Sequence, residues 1–333
     1  MKISIQELED LCKKALSKYG YSDDESTVIL EMLMYAQMRG NDQGIVKLIG
    51  AGMPKNKEAK KPTVEKETPT TAIIDANLSM EALAMEEAVN LVIKKAAEMG
   101  IAIVGTHRGD GSSGAVGYWS RKVADAGFIG LTMSSYPYGM VPPHGSYEPL
   151  FCTNPMAWAV PTNEGPIVLD MSSSGISYYG LIEAKTQGVQ VAEGLGYDKD
   201  GNETTDPAQI MEGAIRPFDK GFKGAGLALM VQIIGGALVG GDFLNESDHD
   251  GNVVIAINPD ALIGTERFIE ETTKIANAIR ESKRLAGVDE VMVPGERGDR
   301  IRQQILDSNE IEIEENLLMS LREFAEGVAP EIR

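Results

Sequence analysis

Three imidazoles, His107, His144 and His249, are the only histidines in the chain, and an imidazole exchanges protons near neutral pH without special tuning. His144 stands in YGMVPPHGSYEP, a loop fixed by proline and glycine, with Tyr136, Tyr138 and Tyr147 around it. It is the first candidate for a catalytic proton donor. His249 has acidic neighbours that suit a solvated loop, and His107 precedes Arg108 at the edge of a glycine loop. Asp170 closes the apolar run PIVLD and leads into Met171, Ser172, Ser173 and Ser174. Its carboxylate either caps the helix that follows or belongs to a site edged with hydroxyls. Thr153 and Asn154, before Pro155, offer a hydroxyl and an amide, as turn chemistry or as substrate contacts.

The glycine loop Gly109-Asp-Gly111-Ser-Ser-Gly114 has the formal spacing of a dinucleotide fingerprint. That fingerprint needs its first glycine close to a strand end and a carboxylate about 20 residues on to hold a ribose. Here Thr106-His107-Arg108 intervene, and the next strand ends in Met133-Ser134-Ser135 without a carboxylate. A plain Gly/Ser loop at a helix start, or another ligand loop, therefore fits better than a Rossmann fingerprint. Backbone N–H groups at the start of the helix beginning at Ala115 can still receive an anion or a carbonyl oxygen.

The elements that must carry these residues follow from periodicity. Ile5, Leu8, Leu11, Cys12 and Leu16 recur at helical spacing up to Gly20, and Ser22 caps a second helix bearing Val28, Leu30, Leu33 and Met34. A Lys-, Glu- and Pro-rich segment, 54–69, is expected to be a solvated linker. Strands and helices then alternate: strands at 71–75, 101–105 and 128–133, with helices at 79–99 and 115–126 between them. A strand at 166–170, a helix near 175–185, a Gly-rich apolar helix at 223–239, a strand at 252–258 and a terminal helix at 313–324 complete the pattern. The organisation expected is a helical domain from 1–70 plus 260–333 and an α/β cofactor domain from 71–259.

The formal charge of −19 opposes nucleic acid and anionic lipid, and Lys and Arg nowhere gather densely enough to reverse that. An anionic substrate would need local cations such as Lys47 or Lys223. Cys12 and Cys152 lie far apart without C-x-x-C spacing, so neither a zinc site nor a disulfide framework is expected, and no metal is assigned. The N-terminus lacks the uninterrupted apolar core of a signal peptide, and no segment is expected to span a membrane. A cytoplasmic protein is expected.

The stretches CTNPMAWAVP, PIVLDMSSS with SYYGLIEAK, DKDGNETTDPAQIMEGAIRPF, KGFKGAGLALMVQIIGGALVG and VMVPGERG occur in this order over roughly residues 1–300. Together the chain resembles the type 2 malate/L-lactate dehydrogenases, which include ureidoglycolate and sulfolactate dehydrogenases, diketogulonate reductase and piperideine-2-carboxylate reductases. The resemblance implies a non-Rossmann α/β fold with a mixed, largely antiparallel sheet, and a second domain assembled from both chain ends. It implies a homodimer that binds NAD or NADP in a cleft and a small-molecule substrate beside it. Cofactor contacts would come from Ser134, from Asp170, Met171, Ser172, Ser173 and Ser174, from Phe222 and Lys223, and from Gly295, Glu296 and Arg297. The substrate would lie near Gln43, Lys47, Ser112, Tyr118, Thr153 and Asn154.

Three residues depart from the family's pattern. The family's Ser-His-Gly motif, with its proton-donating histidine and an arginine a few residues on, corresponds to Arg39-Gly-Asn-Asp-Gln43-Gly44-Ile-Val-Lys47, one residue shorter. Gln43 replaces the histidine, Lys47 replaces the arginine, and a second family histidine falls on Ser112. Hydride reduction of a ketone leaves an alkoxide that must be protonated, and neither Gln43 nor Ser112 is an acid near neutral pH. Three explanations stand at this point. Another group, His144, Asp170 or a tyrosine, donates the proton to a 2-oxo acid; or the substrate is an imine that arrives protonated; or the chain binds cofactor with lost or altered catalysis.

Overall fold

The architecture comes from a computed structural model that describes residues 1–244 and 249–327. A short strand β1 (Lys2–Ser4) passes into α1 (Ile5–Lys18), where the Ser4 hydroxyl accepts the Glu7 N–H, and α2 (Asp23–Gln37) starts at a reciprocal Ser22–Glu25 capping box. A single π-type turn, Lys47–Gly52, follows. Then come β2 (Thr63–Glu67), β3 (Thr71–Asp75), α3 (Glu81–Met99), β4 (Ile101–His107), α4 (Val116–Asp125), β5 (Ile129–Ser135), β6 (Met156–Val160), β7 (Ile167–Met171) and α5 (Tyr178–Gln187). A small sheet of β8 (Gly196–Tyr197), β9 (Glu203–Thr204) and, after α6 (Pro207–Glu212), β10 (Ala214–Ile215) precedes α7 (Phe222–Val231). The chain ends with β11 (Gly251–Ile257), α8 (Thr265–Arg280), α9 (Glu296–Ser308), β12 (Glu310–Glu312) and α10 (Glu315–Glu326).

Seven strands form the main sheet in the order β2-β3-β4-β11-β5-β6-β7, and within it only the β3–β4 pairing is parallel. This is the mixed, largely antiparallel, non-Rossmann sheet expected. β11, late in the chain, inserts between β4 and β5. Side chains alternate across it: Val254 and Ala256 join the core beneath α3, whereas Gly105 and Gly251 face Val239 on the opposite side. β1 pairs antiparallel with β12, so the two chain ends meet beside the core that holds Leu8, Leu16, Leu318 and Leu321.

Three features differ from the sequence expectations. Thr63–Glu67, inside the segment expected to be a linker, is the outer strand β2, wholly exposed and paired with β3. Its charged residues suit an uncovered edge, where they discourage pairing with another chain. The Gly-rich helix ends at Val231 and continues as a π turn, Gln232–Gly236, and a 3₁₀ turn, Ala237–Val239. There Gly235 presses against the Met133 backbone, and a Cβ on it would stand 3.3 Å away. The stretch Phe222–Val239 is also long and apolar enough, by length and composition, to cross a membrane, contrary to expectation; 44% of it is buried, and its C-terminal half packs on β5 and β11.

α4 crosses β5 so closely that a Cβ on Gly130 would lie 2.5 Å from the Ser120 carbonyl oxygen. Gly130→Ala is expected to lower unfolding free energy by ~1–3 kcal/mol by forcing helix and strand apart. Equilibrium denaturation that leaves the midpoint unchanged would refute this account of the crossing.

Candidate active-site cleft

Five segments converge at one end of the main sheet: the stretch after α2, the loop before α4, the residues after β5, the turn after β7 and the start of α5. They enclose a cavity of about 320 Å³. A second cavity of about 470 Å³ adjoins it, sharing Asn41, Asp42 and Asp170, and is edged by Arg39, Arg121, Gly295 and Arg297. The two form one elongated cleft. Local geometry fixes its loop wall: the Trp119 indole N–H, in the core, donates to the Ser113 carbonyl at 2.7 Å, and the Gly114 N–H donates to the Ser112 hydroxyl at 3.1 Å.

Lys47 is the cation of the smaller cavity. It is only 3% exposed, its ammonium donates to the Ser112 hydroxyl, and it stands 4.7 Å over the Tyr179 ring. Among the described residues it forms no ion pair. Burial drives its pKa down to about 8, opposed by the fields of Asp42 and Glu81. Asp170, at the end of β7, lines both cavities and accepts the Gly117 N–H at 3.0 Å. Part of its surface stays open to the cleft, yet the protein crowded around the carboxyl, opposed by the Gly117 bond and helped by Asp42, raises its pKa to about 6. Gly117 is required there, because a Cβ would lie 2.7 Å from the carboxylate.

Behind the wall lies a buried polar cluster. Glu81 accepts from the Tyr136 hydroxyl and the Asn252 amide, and the Ser113 N–H donates to the same Tyr136 oxygen at 2.8 Å. Burial first, and then neighbouring Asp250, holds the Glu81 carboxyl well above its usual range. The Asp250 carboxylate accepts the Gly109 N–H at 2.7 Å, so this cluster anchors the glycine loop.

Gln43, Lys47, Ser112, Thr153, Asp170, Met171 and Ser172 are brought together in the smaller cavity, and Gly295 and Arg297 border the larger. Other candidates are elsewhere. His144 is exposed, outside both cavities, its ring centroid 6.2 Å from that of Phe222, because its Pro-Gly loop carries it outward. Phe222 and Lys223 are exposed at the start of α7, also outside both cavities. Tyr118 packs on Tyr35 and Trp119 and donates to Glu31 at 3.0 Å. Asn154 is fully buried, holding the Ala228 carbonyl at 2.9 Å. Ser134 is tied to Asn252, Ser173 donates to the Thr153 carbonyl and Ser174 to the Ile176 carbonyl. Glu296 is paired with Arg280. These side chains brace the walls. His107 pairs with Glu65 and His249 with Asp242.

Sequence reasoning missed Asp42, Ser113, Tyr136, Tyr179 and the pair Arg39 and Arg121, both held by Asp299. Tyr136 was noticed only as a neighbour of His144; its tie to Glu81, 55 positions away, has no sequence signature. No group of three metal-ligating side chains occurs among the described residues.

Comparison with known proteins accords with this geometry. L-sulfolactate dehydrogenase of Methanocaldococcus jannaschii is 32% identical over 93% of this chain and 92% of its own length. Its solved structure superposes with a TM-score of 0.86 at 28% identity, covering 100% of this chain and 98% of that one. Delta(1)-pyrroline-2-carboxylate/Delta(1)-piperideine-2-carboxylate reductase of Pseudomonas putida is 30% identical over 97% of both chains. The family model described as malate/L-lactate dehydrogenase matches residues 3–322, and the chain belongs to that family of oxidoreductases.

Proposed function

We propose that the chain is an NAD(P)H-dependent reductase of a small 2-oxo acid, running in reverse as a 2-hydroxy acid dehydrogenase. The observation that carries this reading is the elongated cleft itself, with Lys47 and hydroxyls at one end and Arg297 with a helix start at the other. The donor set fits a nicotinamide dinucleotide. Gly295, at φ 95°, opens α9 so that the helix start and the exposed Arg297 offer N–H groups and a guanidinium to phosphates. When bound, the nicotinamide supplies or accepts the hydride.

The chain's own residues then hold the substrate. Ala115 and Val116, whose N–H groups donate to no described group, line the smaller cavity together with Thr153 and Ser172. A carboxylate fits that set. An imine substrate is the second reading, favoured by Gln43 and Ser112, which supply no acid near neutral pH, and by the reductase named among the relatives. Phe222, Leu229, Met230, Ile233 and Leu238 expose apolar surface along one helical run, which suits coverage by a second copy of the chain.

NADH and NADPH oxidation against 2-oxo acids, cyclic ketimines and oxo acids mixed with amines tests the assignment. Turnover of a 2-oxo acid alone is expected; turnover of imines only favours the second reading, and silence with tight cofactor binding indicates altered catalysis. Arg297→Ala is expected to weaken cofactor binding ~10-fold or more by nicotinamide fluorescence titration, the loss of one charge-assisted contact; unchanged affinity removes Arg297 from the cofactor. In light scattering after size exclusion the protein is expected at twice its 35.9 kDa chain mass, with Ile233→Glu shifting it to the monomer. A wild-type monomer at micromolar concentration would refute the homodimer.

A further inference from the structure

Neither Gln43 nor Ser112 is an acid near neutral pH, which leaves the proton unassigned, and this inference rests on the reductase reading above. We propose that Lys47 is the catalytic proton donor, its ammonium delivering a proton to the substrate's carbonyl oxygen directly or through the Ser112 hydroxyl it holds.

Four observations point there. The Lys47 ammonium reaches the cavity from the turn after α2, almost fully buried, and its side-chain partner is a hydroxyl that itself borders the cavity. No described carboxylate pairs with it, so no ion pair must break before the proton leaves. Ala115 and Val116, at the start of α4, line the same cavity beside Gly117, whose N–H Asp170 already holds, and their own N–H groups give the substrate carboxylate a place apart from Lys47, which releases Lys47 from the gripping role its sequence position suggests. Finally, burial brings the ammonium to about 8, within reach of neutral-pH proton transfer, where an exposed lysine would hold its proton too tightly.

The step balances. Hydride from the reduced nicotinamide forms the new C–H bond and oxidises the cofactor, and the carbonyl π pair moves to oxygen. That oxygen takes a proton from the Lys47 Nζ, leaving a neutral amine that solvent reprotonates after product leaves. In the reverse direction the neutral amine accepts the hydroxyl proton.

The competing donors are Asp170, which faces the same cavity, and Tyr136, whose proton is committed to Glu81. Asp42, from the stretch after α2, and Tyr179, from α5, also face Lys47; Asp42 is bonded to Gln43 and to Ser177.

The test uses the full-length protein with Lys47→Arg, Lys47→Met and Lys47→Ala. Reductive kcat is expected to fall ~10²–10⁴-fold in all three. Arginine keeps the charge but not a releasable proton, so it should not restore turnover. Small alkylammonium ions should rescue Lys47→Ala in proportion to concentration, and wild-type reduction should decline above pH about 8. Calorimetric binding of oxamate with NADH or NADPH present should change only a few-fold in Lys47→Met, because the carboxylate sits at α4. Recovery of kcat in Lys47→Arg, or oxamate binding lost in parallel with turnover, would make Lys47 a carboxylate grip and overturn the proposal. A decline above pH about 6 would shift the proton to Asp170. Wild-type silence towards every 2-oxo acid would instead overturn the reductase reading together with this one.

Discussion

A buried carboxyl at the first turn of α3 holds the cleft in shape. Glu81 binds Asn252 on β11 and Tyr136 just past β5, while Asp250, beside Asn252, holds the glycine loop that follows β4. Three strand ends and a loop therefore close on one polar cluster. Burial penalises a charge on Glu81, and Asp250 adds to that penalty, so the pair retains a proton where an isolated glutamate would lose it. A protonated carboxyl both donates and accepts, which suits a cluster crowded with amide, hydroxyl and carboxylate oxygens. The cluster fixes Tyr136, Tyr136 receives the Ser113 N–H, and the next residue back, Ser112, meets Lys47. The path from core to cavity is a continuous set of hydrogen bonds and one peptide unit.

Charge explains why so few cations carry the site. A chain with a formal charge of −19 places an anionic substrate in an unfavourable field, and only local positive groups reverse it. Arg39 and Arg121 border the larger cavity, but both pair with Asp299 and Arg121 also faces Asp125, so the two carboxylates offset the two guanidinium groups. What remains for the ligand is Lys47, Arg297 and the N-termini of α4 and α9, set along the length of the cleft. Helix starts contribute partial charge without a titrating group, whereas Lys47 can change its protonation state.

Much of the fold was legible because burial imposes period. The strands β3, β4, β5 and β11 and the helices α3 and α4 alternate apolar faces that the sequence displays directly. β2 was not legible, since an exposed edge strand has no apolar face to display. The mixed, largely antiparallel character of the sheet came from family resemblance; neither that nor periodicity says that β11 enters between β4 and β5. Of the site, the residues adjacent in sequence were the easy part: Asp170, Met171 and Ser172 form one turn. The contacts that give those residues chemistry span 53 positions from Gly117 to Asp170 and 65 from Lys47 to Ser112, and no local pattern encodes them. His144 shows the converse, since a suggestive type in a rigid loop means little until the direction of the loop is known.

Lys47 also has a thermodynamic signature that separates a functional residue from a structural one. Its pKa in the folded protein lies below its unfolded value, so between pH about 8 and about 10.5 the unfolded chain binds the proton that the native chain has released. Stability therefore rises with pH through that window, and below it the buried ammonium costs about 3 kcal/mol. A residue kept for packing would be cheaper as methionine, which fills similar volume without a charge to desolvate. The fold tolerates this cost at a lysine that faces the cavity, while the cations that only brace the walls, Arg39, Arg121 and Arg280, are paired with carboxylates. Pairing stabilises a charge by making its proton harder to remove, so a donor must forgo it, and the unpaired, desolvated state of Lys47 follows from the work assigned to it.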